Sequence, residues 1–415
     1  MQKIGIDFGT TNTVVAFAQP DGSTRNVSVS TSDVFRSVLC FWTETDQASQ
    51  HLRWAAGPRG VAAYLDDPGD SRLILSMKTY LAQRSFVETR IFGRRYTLQT
   101  LIATFLRALA DAAGFAPGDV QATIGRPVRF AGEFADDAFG EARLREAFDE
   151  AGFADVSVVL EPEGAGWHFS RRLTAPTTVL VGDFGGGTSD FSILRFAPDA
   201  PVRPLGHAGV GLAGDALDQR IIEHVICPHL GKNETYRVMG ETDLPVPPEY
   251  FAAFARWHKL SMMRNPRTLR EIAEVARRAT HPERLNALIS LIEEEQGFAL
   301  YQAVSDAKMA LSQAERATLR FSNGNFRIIE EIERRDFEAW IAPDLARMAE
   351  AVDAALIDAG VTAQEVDQVF LTGGTSFVPA VRRLFDQRFG PENVTAGGEL
   401  VSVAEGLALI GAERG

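Results

Sequence analysis

A chain of 415 residues is long for a single hydrophobic core and suits two packed lobes of roughly 200 residues each. With 45% hydrophobic and 23% charged residues it is neither disordered nor fibrous, and no apolar run reaches the ~18 residues of a membrane span. The net charge of −13 repels phosphate backbones and anionic membranes, so neither nucleic acid nor a membrane is expected as a partner. The N-terminus reaches Asp7 without a signal-peptide apolar core, and two cysteines, Cys40 and Cys227, cannot frame a disulfide scaffold. A cytoplasmic protein is expected.

Short β-branched runs alternate with longer helical patterns, which predicts an α/β fold. In chain order, strands are predicted over 4–8 and 14–18, a helix over 99–114, a strand over 120–125, a helix over 139–151 and a strand over 156–160. Strands over 178–183 and 191–196 come next. Helices follow over 217–226, 269–278 and 284–295. A hairpin turns at Asn323-Gly324, where both residues tolerate positive φ. A helix over 337–359, a strand over 369–372 and a helix over 401–410 complete the pattern. The Arg/Glu-rich stretch from about 230 to 315, entered through Leu244-Pro245-Val246-Pro247-Pro248, reads as an insertion with its own small subdomain.

Two segments repeat one pattern. Gly5-Ile6-Asp7-Phe8-Gly9-Thr10-Thr11-Asn12-Thr13 and Gly182-Asp183-Phe184-Gly185-Gly186-Gly187-Thr188-Ser189-Asp190 each follow an apolar strand with Asp, Phe, Gly and Thr. Glycines let backbone N–H groups approach phosphate oxygens, threonine hydroxyls add donors, and the carboxylate can hold a divalent cation through water. Lysine is rare, standing only at positions 3, 78, 232, 259 and 308, so one beside a phosphate site carries weight.

Other motifs weigh less. Gly209-x-Gly211-x-x-Gly214 matches a dinucleotide fingerprint but lacks the βαβ context and the ribose-binding acid that give it meaning. His224, Cys227 and His229 have ligand-like spacing, but Pro228 breaks the run and no fourth ligand is near, so a packed helix end is expected. No Gly-x-Ser-x-Gly or His-Glu-x-x-His motif is present.

The sequence resembles the DnaK-type 70-kilodalton heat-shock chaperone family of the actin-like ATPase superfamily. The segment 5–13 resembles its first phosphate loop, and 182–190 its second. Leu371-Thr372-Gly373-Gly374-Thr375 resembles the loop that closes on adenosine. Ile124-Gly125-Arg126-Pro127 and Leu160-Glu161-Pro162 sit where the family has its inter-lobe connection and its Asn-Glu-Pro segment. Ala307-Lys308-Met309-Ala310-Leu311-Ser312 resembles its Ala-Lys-Arg-x-Leu-Ser helix. The matches run in order over nearly the whole chain. Only five residues follow the last predicted helix, so the resemblance implies a stand-alone ATPase domain without a peptide-binding domain, similar to the YegD-type proteins.

The resemblance implies ATP or ADP and Mg2+ as cofactors, with roles residue by residue. Asp7 and Asp183 would organise the metal through waters. Gly9, Thr10, Thr11, Gly185, Gly186, Gly187 and Thr188 would bind phosphates, and Lys78 would reach the γ-phosphate. Glu161 would orient the attacking water, with Asp183 and Asp190 sharing the catalytic work. Gly211, Gly214, Asp215, Lys308, Ser312, Gly373, Gly374, Thr375 and Phe377 would line the nucleotide. Pro127 and Arg145 would relay nucleotide state between lobes. At the adenine the sequence departs from the family. Met309 and Phe377 stand where it has arginines, and Ser305 replaces an acidic residue, which removes guanidinium stacking of roughly 0.5–2 kcal/mol each.

The expected fold is the two-lobe, ribonuclease-H-like actin-type ATPase fold. Lobe I takes residues 1–174 with the C-terminal helix 396–415. Lobe II takes 175–395, with a helical insertion over about 216–333. The expected function is magnesium-dependent ATP binding and slow hydrolysis, with an unidentified protein partner. A non-hydrolysing nucleotide-sensing scaffold and an actin-like filament protein stay open beside it.

Overall fold

Gln2–Phe8 and Asn12–Ala18, each with a run of three consecutive buried residues, form an antiparallel hairpin with Asp7 opposite Val14. The computed structural model describes residues 1–28, 34–46, 49–66, 70–130, 135–167, 173–198, 200, 202–238, 243–256, 263, 265–293, 296–324, 326–396 and 403–414. Of the predicted last helix, 401–402 lie outside these residues and the helix is Val403–Arg414. The predicted helix over 284–295 is Pro282–Glu293, and 294–295 also lie outside them.

The first hairpin adds Thr24–Asn26 on one side, with Phe35–Arg36 also pairing its second strand. On the other side it adds Val120–Arg126 and Asp155–Leu160, both in parallel. A second sheet repeats this order. Thr177–Phe184, Ser189–Phe196 and Arg203–Val210 form an antiparallel meander, and Gln368–Thr372 and Val394–Ala396 extend it in parallel. Each meander places its aspartate near the end of its first strand. In the second sheet Asp183 faces Asp190 across the hairpin.

The chain divides into two units. The first comprises Met1–Gly211, Met348–Phe377 and Val381–Gly415, and the second comprises Leu212–Arg347 and Val378–Ala380. Within the first, helices Leu98–Ala113 and Asp137–Ala151 pack on the N-terminal sheet around Phe8, Phe105 and Phe148. The helix Val403–Arg414 covers the same sheet at close range. A Cβ on Gly5 would stand 1.9 Å from the Ala404 carbonyl oxygen, so only glycine permits this approach. Lys3 Nζ donates to the Gly411 carbonyl, and Asn26 to Glu405.

The second unit is mainly helical, with Gly214–Ile221, Pro266–Ala276, Pro282–Glu293 and Gly297–Gln313, and it carries the hairpin Arg316–Asn323/Phe326–Glu333. Asn323, expected in the turn, belongs to the strand opposite Phe326, and Gly324 beside it is left-handed at φ 54°. The predicted helix over 217–226 is regular only to Ile221. It continues as a wider turn over Ile222–Ile226 and a tight turn over Cys227–Leu230, where Pro228 has no N–H to donate. A three-stranded sheet, Ser49–Ala56/Leu39–Asp46/Ser71–Ile74, and a hairpin, Glu88–Ile91/Arg94–Thr97, are additions that the sequence patterning does not predict. No helix among the described residues is long and apolar enough to cross a membrane.

Candidate active site

Both Asp-Phe-Gly turns close in the same way. The Gly9 N–H donates to the Asn12 carbonyl at 3.0 Å, and the Gly185 N–H to the Thr188 carbonyl at 2.9 Å. Thr10 and Thr11 lie in the first turn, whose Thr11 carbonyl accepts from the Ser37 N–H at 2.9 Å. Gly185, Gly186, Gly187 and Thr188 make up the second. Thr188 Oγ1 donates to Asp190 Oδ2 at 3.0 Å.

Gly373 adjoins this second turn. Its φ is +89°, and a Cβ there would stand 2.0 Å from the Phe184 carbonyl oxygen. A glycine is therefore required where the loop meets the hairpin end. Gly374 begins the tight turn that runs to Phe377 and contains the buried Thr375, and Phe377 itself is 58% exposed.

Lys78 and Glu161 arrive from separate elements of the first unit. Lys78 lies on the tight turn Met77–Tyr80, entered through Ser76 in the left-handed region at φ 54°. Strand Asp155–Leu160 delivers Glu161 to the start of a short helix, with Pro162 in its first turn, where a missing N–H is harmless. Lys78 Nζ donates to Glu161 Oε1 at 2.5 Å, and the two side chains are 10% and 9% exposed. Lys78 is thus no surface lysine. Gly125 leaves room for its partner, since a Cβ there would stand 2.7 Å from Glu161 Cγ.

Electrostatics join these residues to the turn aspartates. Burial, then the Glu161 charge, push Asp7 up to about 7, with Lys78 opposing. Burial, reinforced by Glu161, Asp7 and Asp190, pushes Asp183 up to about 8. Asp190 is pushed up to about 6 by burial, against the hydrogen bond from Thr188. Burial works against the Lys78 charge, but Glu161, Asp7 and Asp183 hold it above its ordinary value. Four carboxyl groups therefore influence one ammonium, a buried negative excess that a cation would relieve.

The oxygen donors suit a hard divalent ion. Among the described residues no three His, Cys, Asp or Glu side chains converge closely enough to hold a metal directly. Asp7 and Asp183 offer only carboxylate oxygens, the donor type that such an ion takes either directly or through its waters. His224, Cys227 and His229 form no such group either. Cys227 is buried, His224 stacks on Trp340 and His229 pairs with Glu330.

The remaining predicted residues divide between the two units. Gly211 ends the first unit's opening segment. In the second unit Gly214 starts a helix with Asp215 in its first turn. Lys308 Nζ donates to the Gly214 carbonyl at 3.1 Å and pairs with Asp218 at 2.9 Å, while Ser312 Oγ donates to the Lys308 carbonyl. Met309 is 55% exposed. Arg145 pairs with Glu141, which also receives Arg126, and Arg126 donates to the Pro127 carbonyl.

Sequence reasoning missed His207. It is buried beside Asp190, with Nε2 3.6 Å from Asp190 Oδ1 and Nδ1 sharing a hydrogen bond with Ser192 Oγ. Burial, helped by Arg129, pushes it down to about 4, so it is neutral near pH 7. A predicted strand over 203–210, placing His207 opposite Ser192, would have revealed it. Gly209, on the same strand, leaves space for Asp190, whose Oδ1 would lie 2.5 Å from a Cβ there. That strand is antiparallel to its neighbour, so Gly209-x-Gly211-x-x-Gly214 has no βαβ setting.

Comparison with known proteins gives a consistent picture. The family model described as Hsp70 protein matches residues 291–412. The chain is 27% identical over 412 residues to the chaperone protein DnaK of Thermotoga neapolitana, covering 98% of this chain and 58% of that protein. It is 25% identical to the chaperone protein dnaK1 of Prochlorococcus marinus, covering 96% and 55%, and 23% identical to DnaK of Thermus thermophilus, covering 94% and 57%. The chain spans a little over half the length of these curated relatives.

Proposed function

We propose that this chain, which belongs to the Hsp70/DnaK family, binds ATP with magnesium and hydrolyses it slowly between two lobes, one built on each five-strand path. The observation that carries the proposal is the buried Lys78–Glu161 pair, electrostatically joined to Asp7, Asp183 and Asp190 at two hairpins of the same topology. Lys78 reaches the γ-phosphate, and the glycine turns bind the phosphates through backbone N–H groups. Glu161, with Asp190, orients the attacking water and accepts its proton as the oxygen bonds to phosphorus and the β–γ bridging bond breaks. Magnesium, when bound, would neutralise phosphate charge, and Asp7 and Asp183 are the residues that would hold it. Hydrolysis of a phosphoanhydride is largely positioning and electrostatics, which such a site can supply. The cycle of binding and hydrolysis biases lobe closure, read by a protein partner. Phosphate release from ATP, measured with magnesium and again with a chelator, tests this reading.

A second reading is a nucleotide sensor that binds without hydrolysing. The exposed Met309 and Phe377 favour it, since neither supplies a guanidinium plane for a base. Magnesium-dependent nucleotide binding without phosphate release distinguishes it from the first.

A further inference from the structure

Arg143, on the helix Asp137–Ala151, is 3% exposed. Its Nη1 donates to the carbonyls of Tyr80 and Leu81 at 3.2 Å and of Gln83 at 3.4 Å, and its Nη2 donates to the Phe86 carbonyl at 3.2 Å. Phe139 lies beneath the guanidinium at 5.2 Å. Burying a guanidinium against backbone oxygens is costly, so one that gathers four carbonyls from seven successive residues fixes that segment's path. The segment begins at the Lys78 turn, where the Leu81 N–H donates to the Lys78 carbonyl at 3.2 Å.

The same helix grips this segment a second time. The Asp136 N–H donates to the Ala82 carbonyl at 3.2 Å, and the Asp136 carboxylate, which caps the helix, receives Arg84 at 2.6 Å. At its other end the helix leads into strand Asp155–Leu160 and so to Glu161, and Arg145 donates to the Val156 carbonyl at 3.4 Å. One helix thus holds the backbone behind both members of the Lys78–Glu161 pair.

We propose that Arg143 is a positioning residue that sets Lys78 against Glu161 by clamping the 80–86 segment onto the helix that delivers Glu161. Its consequence for phosphate chemistry rests on the ATPase reading above, but the positioning itself is measurable without turnover. The chain holds five lysines, so pulsed acetylation read by mass spectrometry resolves Lys78 individually. Lys308, ion-paired with Asp218 in the other unit, reports general loosening.

Each hydrogen bond lost makes local opening easier, so Arg143→Met should raise the Lys78 acetylation rate about tenfold or more. Lys308 should stay unchanged. Arg143→Lys, which can still reach some of the carbonyls, should fall between the two proteins. Where wild type releases phosphate, Arg143→Met should lower kcat while leaving KM for ATP within a few-fold. If Arg143→Met unfolds, Arg143→Lys decides by the same comparison. A Lys78 rate that is unchanged, or that rises only in step with Lys308, overturns the proposal. A wild-type protein without phosphate release overturns the ATPase reading, while the acetylation rates still decide whether Arg143 positions Lys78.

Discussion

Lys78 Nζ donates to Glu161 Oε1 at 2.5 Å, joining a tight turn to the end of a strand across 83 residues of chain. Both side chains are almost wholly buried, and Asp7 and Asp183 add negative charge around the ammonium. A buried pair of this kind contributes little to stability for the desolvation it requires, which favours a catalytic reason for its presence. Lys78→Ala should therefore lower phosphate release by roughly 10²–10³, the usual cost of one lost transition-state contact. ADP affinity should stay within a few-fold by calorimetry, because the glycine turns carry ground-state binding.

Two glycines separate catalysis from folding. Gly125→Ala would place a methyl 2.7 Å from Glu161 Cγ and displace that side chain, at a cost of about 1–3 kcal/mol. Phosphate release should fall more steeply than the melting temperature. Gly373→Ala combines φ +89° with a 2.0 Å approach to the Phe184 carbonyl, so the backbone must move. It should cost more than about 1 kcal/mol and lower both stability and nucleotide affinity in parallel.

Stability of the ligand-free protein should fall as pH rises from 6.5 to 8. Folded Asp7 and Asp183 are raised from 3.8 to about 7 and about 8, so between those values the folded state binds more protons than the unfolded one. Stability then declines with rising pH through that window. His207, pushed down to about 4, acts in the opposite sense only below about 6.5. Magnesium with ADP should flatten the decline and release protons on binding, which calorimetry in buffers of different ionisation enthalpy detects.

Asp183→Asn should raise the melting temperature of the ligand-free protein, by more at pH 8.5 than at pH 6.5. The amide removes a buried carboxyl that burial, Glu161, Asp7 and Asp190 all disfavour as an anion. The same change should abolish the magnesium dependence of nucleotide binding. A variant that is less stable at both pH values would contradict the charge-excess account.

The turns were legible because their chemistry is local. A short apolar strand ends in Asp-Phe-Gly at Asp7 and again at Asp183, and the structure forms hairpins at both. Lys78 and Glu161 could be named only through the family resemblance, and their contact joins elements that no periodicity links. Arg143 was hidden for the same reason. The resemblance gives Arg145 a different role, a relay between lobes, and gives none to the buried guanidinium two residues earlier, which donates to four backbone carbonyls. Carbonyl acceptors leave no trace in side-chain identity. The helix over 217–226 is longer in the pattern than in the structure because its apolar spacing runs on through Ile222–Ile226, where regular hydrogen bonding has already given way to a wider turn ahead of Pro228.

The most direct test is steady-state phosphate release by the wild-type chain and by Lys78→Ala, each with ATP and magnesium. The account predicts slow, magnesium-dependent release by the wild type and near-complete loss in the variant, with ADP still bound by both. Release by Lys78→Ala at the wild-type rate would contradict it, because the buried Lys78–Glu161 pair would then play no part in the chemistry.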